Sequence, residues 1–189
     1  MGMKKSKEKV FKQKVRKTSI WVKLLLPVIS VIALLCVLLG LFSYNTLEEE
    51  MVAMGQSQAL TVAALAEAQL DSSVVAEITQ PGLEGSESYL SQQEILIEIQ
   101  EKGNVLYIYT LFTDGEKVYY GIDADTTETA CAIGEEFEYS YEELASVFNG
   151  EAYVEEEIDN SDGEALLTTY VPVTAEDGTV VAVLGCDYD

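Results

Sequence analysis

The sequence contains no histidine, and its one arginine is Arg16. Without histidine the usual proton acceptor near neutral pH is missing. A serine or cysteine nucleophile would need another base. Carboxylates are plentiful, but at 33 Asp and Glu they pair by chance. Neither catalysis nor a cofactor is expected. Positive charge is also scarce where it would matter. Beyond Lys23 the only cations are Lys102 and Lys117, against every acid of the chain except Glu8. No guanidinium fork is available there to hold a ligand carboxylate. Cysteine is sparse as well. Cys36 lies in an apolar run, and the sequence leaves open whether Cys131 and Cys186 pair. Acid runs such as Asp159-Asn160-Ser161-Asp162-Gly163-Glu164 look superficially like a calcium loop. They lack the full ligand spacing and the distal bidentate Glu, so no metal is expected.

What is present is sharply divided. Lys4, Lys5, Lys7, Lys9, Lys12, Lys14, Arg16, Lys17 and Lys23 hold most of the chain's positive charge. Leu24 to Phe42 then carries no charge at all. A helix over this run is roughly 28 Å long, close to the roughly 30 Å hydrocarbon core of a bilayer. Pro27 sits in the first turn, where a missing N–H does little harm. Trp21 and Tyr44 flank the run as interfacial aromatics. The expectation is a membrane-spanning helix over 24–44 in contact with the lipid bilayer. The basic tail, 1–23, stays in the cytoplasm by the positive-inside rule, and the acidic remainder is exported. A cleaved secretory signal fits less well, because the apolar run is longer than usual and no clean small-x-small site follows. The tail's position beside the span makes it a topology signal, so no nucleic-acid partner is expected.

Asn45 to about Ile78 reads as a long membrane-proximal helix, with region 45–80 as its segment. Leu47, Met51, Met54, Gln58, Thr61, Leu65 and Ala68 repeat at 4,3 spacing, a heptad seam. Ala59, Val62, Ala63, Ala66 and Leu70 form a second, small apolar stripe. One stripe is expected to pack on the domain and the other on a second copy, giving a homodimer. Pro81-Gly82 ends the region.

A second helix is expected over Tyr89 to Lys102, with Leu90, Ile97 and Glu101 on one face and Gly103 as its cap. Strands follow at Asn104–Thr113 and Lys117–Asp123 around an Asp114-Gly115 turn. Ser140 and Glu143 form a capping box opening a helix that Gly150 closes. Three more strands are expected at Ala152–Ile158, Glu164–Thr174 and Thr179–Asp187, with Pro172 marking a bulge or an edge. The fold class is α+β: a long N-terminal helix packed on a five-stranded antiparallel sheet. The 124–150 insert is expected to cover the other face, leaving a pocket.

Alternation places Val105, Tyr107, Tyr109 and Leu111 on one face of the first strand. On the second it places Tyr119, Gly121 and Asp123 together. Tyr170 and Asp187 fall in the last two strands. Aromatic walls with carboxylates suit a small ligand carrying an amine, an amide or a similar donor. The candidate ligand-binding set is Tyr107, Tyr109, Tyr119, Asp123, Tyr170 and Asp187. The acidic field and missing arginine favour a cationic, zwitterionic or neutral molecule over a dicarboxylate.

The segments YIYTL (107–111), VYYGIDAD (118–125), IGEEF (133–137) and LTTYVPVTAEDGTVVAVLGCDYD (167–189) resemble the Cache family of PAS-like extracytoplasmic sensor domains. The most specific part is Tyr-x-Pro, a Gly turn and a strand ending in Gly-x-Asp. A Trp-Gly pair often precedes the Tyr-x-Pro strand in that family. Here the region reads Asp162-Gly163-Glu164. The resemblance implies a sensor domain over 81–189 in a bacterial transmembrane receptor, first of all a methyl-accepting chemotaxis protein. A diguanylate cyclase, a histidine kinase or an anchored acidic interaction domain are the alternatives. It also implies that Asp123 and Asp187 face the ligand, and that a second span and an output domain follow Asp189.

Overall fold

The computed structural model describes residues 20–155, 158 and 166–188. Residues 1–19 of the basic tail and the calcium-like run from Asp159 to Glu164 lie outside the described residues. The chain divides into two units, Met1–Leu47 and Glu48–Asp189.

In the first unit, Ile20–Tyr44 is long and apolar enough to cross a membrane. It belongs to α1, Ile20–Glu67, in which the expected span and the expected membrane-proximal helix are continuous.

In the second unit α1 ends earlier than its periodicity suggests. The chain turns after Glu67 and restarts as α2, Ser72–Glu77. The Asp71 carboxylate caps α2 by accepting from the N–H groups of Ser73 and Val74. This local alternative to continued helix is what Asp and Ser residues offer. Helix α3, Glu87–Gly103, is capped by Ser86 and ends on Asn104 at φ 51°. Asn104, not Gly103, takes the left-handed cap. Gly103 serves a packing role instead: a Cβ there would lie 2.8 Å from Val62 of α1. The buried face of α3 is Tyr89, Gln92, Leu96 and Ile99, while Leu90 points to solvent.

The strands are β1 (Tyr107–Thr113), β2 (Val118–Asp123), β3 (Tyr153–Val154), β4 (Leu167–Thr174) and β5 (Val180–Tyr188). Helix α4, Tyr141–Phe148, lies between β2 and β3, its first turn closed by Glu143 accepting from the Ser140 N–H at 2.7 Å. The sheet order is β2-β1-β5-β4-β3. Every neighbouring pair is antiparallel, with β5 between β1 and β4. The turn from β1 to β2 is built by Asp114, whose carboxylate accepts from the N–H groups of Glu116 and Lys117, with Gly115 at φ +94°. Pro172 lies on β4 beyond the two residues that pair with the short β3, so among the described residues that side of the strand is an edge there.

Strand alternation sorts the core into two clusters. Ile108, Val171, Val173, Leu184 and Cys186 pack with the second stripe of α1, Ala59, Val62, Ala63 and Ala66. On the other face Leu111, Val118 and Val183 pack with Leu144 and Val147 of α4. The long helix thus covers one face and the insert the other. Val105 precedes β1 and joins the helix-side cluster, apart from Tyr109 and Leu111.

One close approach sets the geometry of the insert face. Gly185 of β5 pairs with Tyr109 of β1, and a Cβ there would lie 2.4 Å from the Tyr109 ring. Gly185→Ala is therefore expected to cost about 1–3 kcal/mol through overpacking. Gly85→Ala, where nothing lies within 4 Å, is expected to change stability by less than about 0.5 kcal/mol. Urea midpoints of the two variants in the detergent-solubilised chain check this.

Candidate functional site

Between the sheet and the 124–139 insert lies a cavity of about 320 Å³. Tyr107 and Tyr109 enter it from β1, Asp123 from the end of β2, Tyr170 from β4 and Asp187 from β5. Five of the six residues singled out in the sequence therefore meet in one place. Tyr119 does not. It lies against Phe112, ring centroids 5.5 Å apart, and its hydroxyl donates to Asp114.

The reason is a β-bulge. Tyr109 pairs with Asp123, but Leu111 pairs with Tyr120, so β2 carries one extra residue between them. Alternation breaks across Gly121 and Ile122. The Ile122 N–H, out of register, donates instead to the Thr110 hydroxyl at 2.7 Å. A Cβ on Gly121 would meet that same oxygen at 2.7 Å. The bulge rotates Tyr120 into the cavity beside Asp123 and sends Tyr119 away. A glycine inside a strand was the available signal.

Asp187 is buried, only 6% exposed, as is Asp123. The Tyr109 hydroxyl donates to it at 3.4 Å, and the Thr168 hydroxyl, its cross-strand neighbour, donates as well. Burial pushes its carboxyl up to about 7, against those two hydrogen bonds. Asp123 is held differently. One carboxylate oxygen accepts from the Asp125 N–H at 2.9 Å and the other from the Cys131 N–H at 2.8 Å. It therefore pins the loop that closes one side of the cavity. Burial raises its carboxyl too, while the two N–H groups pull it back.

The walls are aromatic. Phe137 packs edge-on against Tyr120 and Tyr139, with centroids 5.2 and 5.6 Å apart. Tyr109 meets Tyr120 at 5.4 Å. Tyr153 of β3 stacks on Tyr170 at 6.2 Å and 16°. Burial holds the hydroxyls of Tyr109, Tyr120 and Tyr170 well above the ordinary phenol range. Sequence reasoning missed Tyr120, Thr168, Glu138 and Glu155. Thr168 was legible, two residues before Tyr170 on the same face. Glu138 and Glu155 lie outside regular strands, where alternation says nothing.

The cysteines are all free. Cys131 lines the cavity, whereas Cys186 lies in the helix-side cluster, so the sheet separates them. Among the described residues no group of three His, Cys, Asp or Glu is placed to hold a metal ion.

No protein-family model and no curated protein matches the chain. Among solved structures, the sensor domain of Escherichia coli DcuS is similar, at 17% identity and a TM-score of 0.51, covering 73% of this chain and 90% of that one. The ligand-binding domain of the Campylobacter jejuni chemoreceptor Tlp3, in complex with 4-methylisoleucine, is similar at 16% identity and a TM-score of 0.46. The sensor domain of the Vibrio cholerae histidine kinase DctB is similar at 14% identity and a TM-score of 0.45. The latter two matches each cover 74% of this chain, which spans 52% of the Tlp3 chain and 56% of the DctB chain. At 17% identity the likeness to the DcuS domain shows the fold alone, a PAS-like fold.

Asp187 carries a pH signature. Its folded-state pKa lies above the unfolded value, so the folded state keeps the proton to higher pH. The stability it contributes is complete below about 4 and is lost as pH rises through about 7. Asp187→Asn is expected to raise the melting temperature at pH 8 by several degrees and to leave it nearly unchanged at pH 4. Thermal unfolding at both pH values checks this.

Proposed function

We propose that the chain is the extracytoplasmic sensing part of a bacterial transmembrane signalling receptor, a methyl-accepting chemotaxis protein with a Cache-type domain. Its N-terminus is cytoplasmic, its anchor lies in the cell membrane at 24–44, and its domain lies outside. The cavity binds a small amine-bearing, zwitterionic or neutral ligand through Tyr107, Tyr109, Asp123, Tyr170 and Asp187. The observation that carries this reading is the cavity itself. An aromatic-walled, acid-floored space of about 320 Å³ suits a small organic molecule with hydrogen-bond donors.

The sheet supplies a route outward from the cavity. Asp187 lines the cavity, while Cys186 beside it packs in the cluster that α1 covers. A ligand that draws on Asp187 shifts β5 and so the seat of α1. Only a difference in affinity between two packings can drive such a shift. A thermal-shift panel of amino acids, amines, ureas and short acids on the solubilised chain tests the reading. A rise of at least about 3 °C with one class is expected, and its loss in Tyr170→Ala. A flat response across the panel counts against sensing.

The first stripe of α1 supports a homodimer. Met51, Met54, Gln58, Thr61 and Leu65 are exposed, Met54 and Leu65 at 73% and 53%. Met54, Gln58, Thr61 and Leu65 border a groove of about 680 Å³ shared with Glu98 and Lys102 of α3. In a background lacking Cys36 and Cys131, Thr61→Cys is expected to cross-link between copies in native membranes. Leu60→Cys, off the seam, is expected to stay monomeric on non-reducing gels.

A further inference from the structure

The cavity contains no positive group. Lys102 and Lys117 are the only cations beyond Lys23, and both are engaged on the surface. Lys102 pairs with Glu98 on α3, and Lys117 pairs with Glu136 at 2.6 Å. Among the described residues the charged groups around Asp187 are Asp123 at the end of β2, Asp125 beyond it, Glu138 before α4 and Glu155 after β3. All are acids. The other titratable groups are phenols and one thiol: Tyr107 and Tyr109 on β1, Tyr120 on β2, Tyr139, Tyr170 on β4, and Cys131 in the loop.

A carboxylate enclosed among acids and phenols costs more to keep charged than to protonate. Burial accordingly carries Asp187 up to about 7. A cation in the cavity reverses the balance, because it supplies the missing counter-charge and also meets aromatic rings. A carboxylate on the same ligand would meet the acids Asp123, Glu138 and Glu155 in a lining that holds no lysine or arginine.

We propose that the ligand is a small organic cation without a carboxylate, a protonated or quaternary amine, and that it enters as the Asp187 proton leaves. One positive charge replaces another: the O–H of the carboxylic acid breaks, its proton goes to solvent, and the ligand nitrogen takes its place as counter-ion. No covalent bond to the ligand forms. The inference rests on the cavity being the sensing site proposed above, and it narrows the ligand class while adding a proton linkage.

Matched pairs that differ by a carboxylate test it: ethanolamine against serine, and choline against glycine betaine. Titration calorimetry on the full chain in detergent, in two buffers of different ionisation enthalpy, counts the protons released. At least one amine is expected to bind about tenfold or more tighter than its carboxylate-bearing partner. Close to one proton is expected to leave per ligand at pH 6. Affinity is expected to rise about tenfold per pH unit below pH 7 and to level off above pH 8. Asp187→Asn is expected to abolish proton release and to weaken binding at least about tenfold at pH 8, with a cooperative thermal transition showing that it folds. Serine or betaine binding as tightly as its partner overturns the ligand class and leaves the sensor reading standing. Amine binding without proton release, or unchanged in Asp187→Asn, overturns the exchange. No binding by either amine at up to about 10 mM overturns the inference as a whole, and the broader thermal-shift panel then decides separately whether the cavity senses anything.

Discussion

Everything in the acidic unit depends on the pairing of β5 with β1 on one side and β4 on the other. These two ladders join the first hairpin to the last meander, which are separated in sequence by the whole insert. They also fix the phase of the strand that matters most. With β5 in register, Cys186 must face the helix-side core and Asp187 the cavity, because successive side chains point to opposite faces. A slip of one residue would bury the carboxylate under α1 and expose the thiol in the cavity.

That pairing also explains the shape of the site. Gly185 pairs directly with Tyr109, and the missing side chain lets the tyrosine ring lie across β5. The ring's hydroxyl then reaches Asp187 and its edge meets Tyr120. A site wall, a hydrogen bond to the buried acid and an aromatic contact all follow from one absent methyl group. The bulge at Gly121 acts similarly on β2, where the Thr110 hydroxyl replaces a lost ladder bond. Two glycines thus shape the cavity more than any residue lining it.

Much of this was legible in the sequence. The buried stripe of α1, the Asp114-Gly115 hairpin, the Ser140–Glu143 helix start and the shared face of Tyr107 and Tyr109 come from simple periodicity or turn chemistry, whereas Tyr170 was placed only by its strand and Asp187 by the family resemblance. What was not legible shares one cause: local hydrogen bonding overrode the period. Asp71 capping α2 ended the long helix early, and Asn104 displaced Gly103 as the cap of α3. The bulge exchanged Tyr119 for Tyr120. Asp123 was identified as a site residue, but periodicity gave no hint that both of its oxygens hold the loop closing the cavity. Residues 124–139 follow no period, so Glu138 and Cys131 enter the site from a direction that alternation does not describe.

The placement of the cysteines has a further consequence. Cys131 and Cys186 sit on opposite sides of one sheet and remain free thiols. Burial pushes the Cys186 thiol up to about 12, which keeps it protonated and chemically inert. No covalent cross-link ties the strands together, and none is poised to form. The strands are joined by packing and backbone pairing, and the segments between them by side-chain hydrogen bonds such as those that Asp71, Asp114 and Asp123 accept. The sheet and its two core clusters therefore form with both thiols reduced.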